Sequence, residues 1–184
     1  MELSAHEVEF RNQRLANLAA LKAAGHRPFG RAFERTGSLA AVRAGFAEGQ
    51  AVRIAGRLVA VREMGKSIFA HVQDGTDKFQ IYVQKNALGD ESFAAFRRLD
   101  IGDFIGTEGE LFTTRMGEQT VKVLRWELLS KALHPLPEKW HGLHDVEVRY
   151  RQRYLDLIAN PSVRKVFDAR SRILSFVRRF LEAR

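Results

Sequence analysis

The stretch Met64–Val83, MGKSIFAHVQDGTDKFQIYV, carries the pattern on which the fold turns. In SIFAHVQ, Ile68, Ala70 and Val72 alternate with Phe69, His71 and Gln73, the period of two that puts successive side chains on opposite faces of a strand. DGTDK, residues 74–78, is a turn signal. In FQIYV, Phe79, Ile81 and Val83 then alternate with Gln80 and Tyr82. If the aliphatic set and Phe79 fill a core, Phe69, His71, Gln80 and Tyr82 share the outer face.

The same reading extends both ways. Upstream, Val52 and Ile54 alternate with Arg53 and Ala55, and Gly56 interrupts before Leu58-Val59-Ala60-Val61, which predicts a strand with a bulge or sharp bend. Downstream, ESFAAFRRL (91–99) predicts a helix with Phe93, Phe96 and Leu99 on one side. GDFIGTEGELF (102–112) and QTVKVLRWELL (119–129) predict two more strands joined by TTRMGE (113–118). Three strands, a helix and two strands is the order of an OB barrel. Before it, Ser4 and Glu7 have capping-box spacing, and Val8, Leu15, Leu18 and Leu21 recur at helical intervals up to a stop at Gly25 and Pro28. A short helix is expected around 38–46. After Ser130 the chain turns into a Pro-punctuated connector, then a helix-like, Arg- and Tyr-rich run at 146–158. Asn160-Pro161 reads as a cap and first turn. Val163, Val166/Phe167, Ile173/Leu174, Val177 and Phe180/Leu181 then mark one apolar stripe.

The expected class is therefore mainly β with flanking helices (α+β): a five-stranded OB-fold barrel with an N-terminal helix and a C-terminal helical segment. The expected divisions are a helical extension (1–49), the barrel (50–130), a connector or hinge (131–160) and a further helix (161–184).

Composition narrows the function classes. The 184 residues contain no Cys, which removes disulfides and thiolate metal sites and fits a cytoplasmic location. The charged N-terminus is unlike a secretory signal, and no apolar run reaches the ~18 residues of a membrane span. The net charge of +8 is unevenly spread. Residues 1–50 hold 7 Lys and Arg against 5 Asp and Glu, residues 51–130 hold 11 against 11, and residues 131–184 hold 12 against 6. A neutral barrel cannot grip nucleic acid by charge alone, so any binding there must come from specific contacts.

An aromatic on the solvent face of a strand is the less usual placement. OB folds use such rings as platforms for unstacked bases, each stack being worth about 1–3 kcal/mol. The competing reading has Phe69 covered by the N-terminal helix or a loop. Gln80 can offer a donor and an acceptor to a base edge, although an outward Gln is usually just solvated. Arg62, Lys66 and Arg115 fall in or beside the turns flanking this face, within range of phosphates. Glu118, in the 113–118 turn, would be repelled by phosphate and so should accept from a base N–H. His141 and His144 lack the carboxylates of a metal site. No Walker loop, GxGxxG or catalytic triad is readable, and nothing looks catalytic.

KALHPLPEKWHGLHDVEVRYRQRYLDL, residues 131–157, closely resembles the connector of bacterial lysyl-tRNA synthetases, a class II aminoacyl-tRNA synthetase family. MGKSIFAHVQDGTDKFQIYV and GDFIGTEGELFTTRMGE (102–118) are similar to that family's anticodon-binding barrel. The likeness covers about residues 50–184, with the N-terminal helix matching more loosely, and His134 and Val148 depart from it. It implies that Phe69 stacks on an anticodon base, that Gln80 and Glu118 read uridine edges, and that Arg62, Lys66 and His71 lie in the same site. The implied partner is the anticodon stem-loop of tRNA(Lys). The implied parent is a homodimer that attaches lysine to tRNA with ATP and Mg²⁺.

Residues 161–184 resemble the start of the dimer-forming motif 1, but the Gly and Pro completing it, and motifs 2 and 3, do not occur here. The expectation is thus an anticodon-binding piece of lysine–tRNA ligase, inactive by itself and without a cofactor or metal of its own. The alternatives are a stand-alone OB-fold protein that binds single-stranded nucleic acid without base preference, a purely dimerising module, and a complete synthetase.

Overall fold

The computed structural model describes residues 5–30, 32–136, 143 and 145–184. The chain forms two compact units, residues 1–135 and 136–184. The expected Ser4 cap, and His141 and His144, lie outside the described residues. The first unit contains α1 (Ala5–Ala23), α2 (Leu39–Ala44), β1 (Ala51–Met64), β2 (Ser67–Gln73), β3 (Lys78–Gln84), α3 (Lys85–Leu88), α4 (Asp90–Phe96), β4 (Phe104–Thr113) and β5 (Gln119–Ser130). The second contains α5 (Val146–Arg151), α6 (Arg153–Ala159) and α7 (Pro161–Glu182).

The five strands close into a barrel in the order β1-β2-β3-β5-β4. All neighbours are antiparallel except β3 and β5, which pair in parallel from Gln80↔Thr120 to Val83↔Val123. β1 is long enough to serve two partners. Its residues 51–57 pair with β4 and its residues 57–64 with β2. Gly56 sits at this changeover, where an added Cβ would lie 2.7 Å from the carbonyl oxygen of Gln73. The expected bend is therefore a close backbone approach, and the break in β1–β2 register falls further on, between Leu58 and Ala60. The β4–β5 register breaks at Phe104/Ile105 and again between Glu108 and Gly109, where an added Cβ would strike the Lys122 carbonyl.

The inward residues of the strands, among them Ile54, Leu58, Ile68, Val72, Phe79, Ile81, Ile105, Leu111, Val121 and Leu128, form one core. Phe93, Phe96 and Leu99 close it from α4 and the residues after it, and Leu39 and Val42 from α2. The tight turn between β2 and β3 is tied to α2 by Asp74, by the Thr76 hydroxyl, which accepts from the Ala40 N–H (3.2 Å), and by the Arg43–Asp77 ion pair. Asp74 accepts from the backbone N–H groups of Thr76 (2.6 Å), Asp77 (3.0 Å) and Leu39 (3.0 Å) and from the Thr76 hydroxyl (2.6 Å). Burial pushes its carboxyl up, but these four bonds together hold it below the ordinary aspartate value.

α1 contacts the core through fewer residues than its sequence period implies. Leu18 and Leu21 are buried, whereas Val8 and Leu15 are exposed. The buried stripe continues instead with Arg14, whose guanidinium donates to the carbonyls of Ile101 (2.9 Å), Ala132 (3.1 Å) and His134 (2.8 Å). Beside it lies a buried ionic cluster. The fully buried Lys131 ammonium donates to Asp103 (2.9 and 3.0 Å) and to Asp100, and Asn17 of α1 also donates to Asp100. Burial pushes the Asp103 carboxyl above the ordinary aspartate range, against the bonds from the Ala132 and Lys131 nitrogens.

In the second unit the expected 146–158 helix is broken at Gln152 into α5 and α6. Asp145 caps α5 by accepting from the Val148 N–H (3.1 Å). Asn160 stands at the N-cap position of α7 but makes no side-chain cap bond. Its amide donates to Asp156 (2.7 Å), a buried carboxylate that also takes Arg149 (2.8 Å) and Arg153. The Asn160 bond, followed by the two arginines, outweighs desolvation and holds the Asp156 carboxyl below its ordinary value. On α7 the apolar stripe is exposed at Val166, Ile173, Leu174, Val177, Phe180 and Leu181. No helix among the described residues is long and apolar enough to cross a membrane.

Removing one partner of a buried charge cluster costs about 3–5 kcal/mol. Lys131→Met is expected to lose that much in urea unfolding at neutral pH. Burial already raises the folded-state pKa of Asp103 above its unfolded value, so the penalty of keeping that carboxyl ionised is relieved as pH falls through the raised value. The deficit relative to the unaltered chain should therefore shrink on acidification. A deficit independent of pH would contradict the burial of uncompensated charge.

Candidate nucleic-acid interface

Strand register arranges the outer face of the barrel in two rows. Arg62↔Phe69, Phe69↔Tyr82, Tyr82↔Lys122 and Lys122↔Glu110 are cross-strand partners, and partners in register project to the same face. The adjoining row runs Ala60, His71, Gln80, Thr120 and Phe112. The first row is thus an aromatic pair flanked by two cations. The second holds three polar side chains, His71, Gln80 and Thr120, between Ala60 and Phe112.

Phe69 is half-buried rather than packed inside the barrel. Its ring centre lies 4.6 Å from that of Tyr82, with the planes 31° apart. Tyr82 is itself 5.9 Å from Phe112, and its hydroxyl is 3.1 Å from the Ser67 hydroxyl. Phe69 therefore leans on a neighbour across the strand and keeps part of its ring open.

Gln80 differs from the solvated side chain its strand position implies. It lies on the outer face but is only 9% exposed, because the β4–β5 turn folds over it. Gly117, at a φ of 81°, makes that turn, which is closed by Thr114 N–H to the Glu118 carbonyl (3.0 Å) and Glu118 N–H to the Thr114 hydroxyl (3.1 Å). The turn delivers the Glu118 carboxylate to the sheet. Gln80 Nε2 donates to Glu118 Oε2 (2.7 Å), and the Thr120 hydroxyl is 2.7 Å from Gln80 Oε1. The other carboxylate oxygen of Glu118 lies 3.1 Å from His71 Nε2. Glu118 remains 48% exposed at its side chain and His71 24%, so the network opens to solvent at its carboxylate end.

Phe69, His71, Gln80 and Glu118 thus come together. Arg62 is exposed beside Phe69, and Lys66 is exposed in the β1–β2 turn made by Gly65. Arg115 lies at the exposed tip of the 113–118 turn next to Met116, which is 93% exposed. Sequence reasoning missed Thr120 and the support of Tyr82 by Ser67 and Phe112. The alternation of Thr120 and Lys122 with Val121 and Val123 marks them as outward. Only the parallel pairing of β3 with β5 puts Thr120 beside Gln80. Among the described residues no cluster of three or more His, Asp or Glu side chains could hold a metal ion.

Residues 52–129 match a family model for tRNA anticodon domains, described as an OB-fold nucleic acid binding domain. A lysine–tRNA ligase of Pelotomaculum thermopropionicum is 52% identical over 178 residues, which is 96% of this chain and 35% of that protein. A lysine–tRNA ligase of Aquifex aeolicus is 56% identical over 132 residues, 71% of this chain and 22% of that protein. One from Xylella fastidiosa is 55% identical over 138 residues, 75% and 27% respectively. The chain spans about a third of the length of the relatives it matches along most of its own sequence.

Glu118→Ala should open the Gln80 amide without unfolding the barrel. The side-chain NH₂ protons of Gln80, protected by burial and bonding, are expected to exchange with water measurably faster in the variant by NMR, while core amides keep their protection. Unchanged Gln80 exchange would mean that the Glu118 bond does not restrain the amide.

Proposed function

We propose that this chain, whose residues 52–129 belong to the family of OB-fold nucleic acid binding domains and whose sequence matches the N-terminal region of lysine–tRNA ligases, reads the anticodon of a lysine-accepting tRNA. The observation that carries this reading is the joint placement of a half-open Phe69 ring and the bonded Gln80–Glu118 pair on one face of a barrel with no net charge. A surface of that kind attracts polyanions weakly, so affinity has to come from stacking and edge contacts to unstacked bases.

In this mechanism an anticodon base leaves the loop stack and lies on Phe69, with Tyr82 supporting the ring from the next strand. Its edge meets the open end of the polar network. Gln80 has a second amide proton to give to a base carbonyl, and Glu118 has free lone pairs to accept a base N–H. The carboxylate costs affinity near phosphate, and that cost is recovered only when a base supplies the donor. Arg62 and Lys66, exposed at the rim, hold backbone phosphates, and His71 completes the site by holding Glu118.

The 184 residues supply recognition. In this reading, attachment of lysine to tRNA with ATP and Mg²⁺ would belong to the parent ligase, about a third of whose relatives' length these residues match. Cytoplasmic residence and assembly as a homodimer accompany this reading. The exposed stripe of α7 supports the dimer.

Phe69→Ala is expected to weaken binding of a U-rich anticodon stem-loop by about 1–3 kcal/mol in a calorimetric titration. The unaltered chain should also bind poly-U more tightly than poly-A. No loss in the variant would remove Phe69 from the mechanism. Equal affinity for the two homopolymers would favour a single-strand binder without base preference.

A further inference from the structure

The orientation of the Gln80 amide decides what the site can read, and the outer-face network fixes that orientation. Its two ends are held at the same distance, 2.7 Å, by partners of different kinds. Toward Glu118 the partner is a carboxylate, which can only accept, so the amide nitrogen must face it. The amide oxygen then faces Thr120. That hydroxyl has one proton and two acceptors within reach, Gln80 Oε1 at 2.7 Å and the Glu118 carbonyl at 3.1 Å. The contact with Gln80 is the shorter, and the Glu118 carbonyl has the Thr114 N–H at 3.0 Å as a donor of its own, so the Thr120 proton is assigned to Gln80 Oε1. Thr120 is fully buried, and no water competes for it.

We propose that Thr120 is a positioning residue for base choice: its hydroxyl holds the Gln80 oxygen inward, so that the site shows a base an N–H donor from Gln80 beside an acceptor from Glu118. This order complements an edge bearing a carbonyl next to an N–H, as in uracil. It clashes with cytosine, whose corresponding edge presents an amino group next to an unprotonated ring nitrogen. The selectivity comes from the clash as much as from the fit, because the wrong edge leaves buried polar groups facing like partners. The inference rests on the base-reading function proposed above.

Thr120→Val keeps the shape of the side chain and deletes the donor. The amide oxygen then lacks its partner, and the amide can turn or withdraw from Glu118. The test uses RNA stem-loops carrying UUU in the loop, together with the set in which each U is replaced singly by C, titrated against the full chain and its variants. The unaltered chain should favour UUU over at least one single-C loop. In Thr120→Val that preference should fall by about tenfold, the worth of one neutral hydrogen bond. Thr120→Ser, which restores the hydroxyl, should recover it. A merely structural role would lower affinity for all loops alike and leave the ratio unchanged. If Thr120→Val does not fold, Thr120→Ala replaces it with the same expectation.

A preference kept within a factor of about two in the variant overturns the role of Thr120 and leaves the base-reading function standing. No preference for UUU over any single-C loop in the unaltered chain overturns the function itself, and this inference with it.

Discussion

Between Gln80↔Thr120 and Val83↔Val123, four registered pairs join β3 to β5 in parallel and turn an open sheet into a closed ring. The contacts of Gln80 and His71 with Glu118 and of Gln80 with Thr120 are a consequence. His71 and Gln80 come from one hairpin, Glu118 and Thr120 from another about 40 residues later, and no local turn could bring them together. The parallel pair also has to accommodate the β4–β5 bulge at Glu108/Gly109, where the backbone of β5 approaches so closely that only glycine fits. Ring closure, the bulge and the polar network are one construction, because a shift of one residue in β5 would send Thr120 inward and Val121 out.

Alternation made most of the barrel legible. Wherever one face of a strand is buried, the period of two reports which residues face the core, and Ile68, Ala70, Val72, Phe79, Ile81 and Val83 are all buried. The helix at Asp90–Phe96 and the short one at Leu39–Ala44 were readable for the same reason, an apolar side against a polar one. What the pattern could not report is burial by a neighbour on the outer face. Gln80 is outward by period yet covered by a turn 38 residues away. Arg14 is buried among carbonyls on a helix whose apparent apolar positions Val8 and Leu15 are exposed, and Asn160 spends its side chain on Asp156 rather than on a cap. Gln80 and Arg14 are satisfied by partners 38 and 118 residues away, for which sequence spacing carries no signal, whereas Asn160 is diverted by a carboxylate one helical turn before it.

The division of the chain falls at residues 135 and 136, inside the stretch whose prolines mark a connector. Immediately before it, the Lys131 cluster and the Arg14 clamp fasten the end of the barrel chain to α1 and to the loop after α4. The barrel is thus finished by charge pairing at its exit and by hydrophobic packing within. The charge imbalance of the sequence follows the same boundary. The barrel strands are neutral overall while residues 131–184 carry the excess of Lys and Arg, and part of that excess is consumed by Asp156, which holds Arg149 and Arg153. Recognition by the barrel therefore depends on geometry at a few side chains, and a general electrostatic attraction has to come from elsewhere in the chain.

Isotope-labelled chain titrated with a UUU anticodon stem-loop and followed residue by residue by NMR addresses that claim most directly. The largest changes should fall on the ring of Phe69, the side-chain amide of Gln80 and the backbone of the 114–118 turn, and should persist at salt concentrations that suppress non-specific contacts. Changes confined to the basic helices between residues 146 and 184, or lost from the barrel when salt is raised, would contradict it.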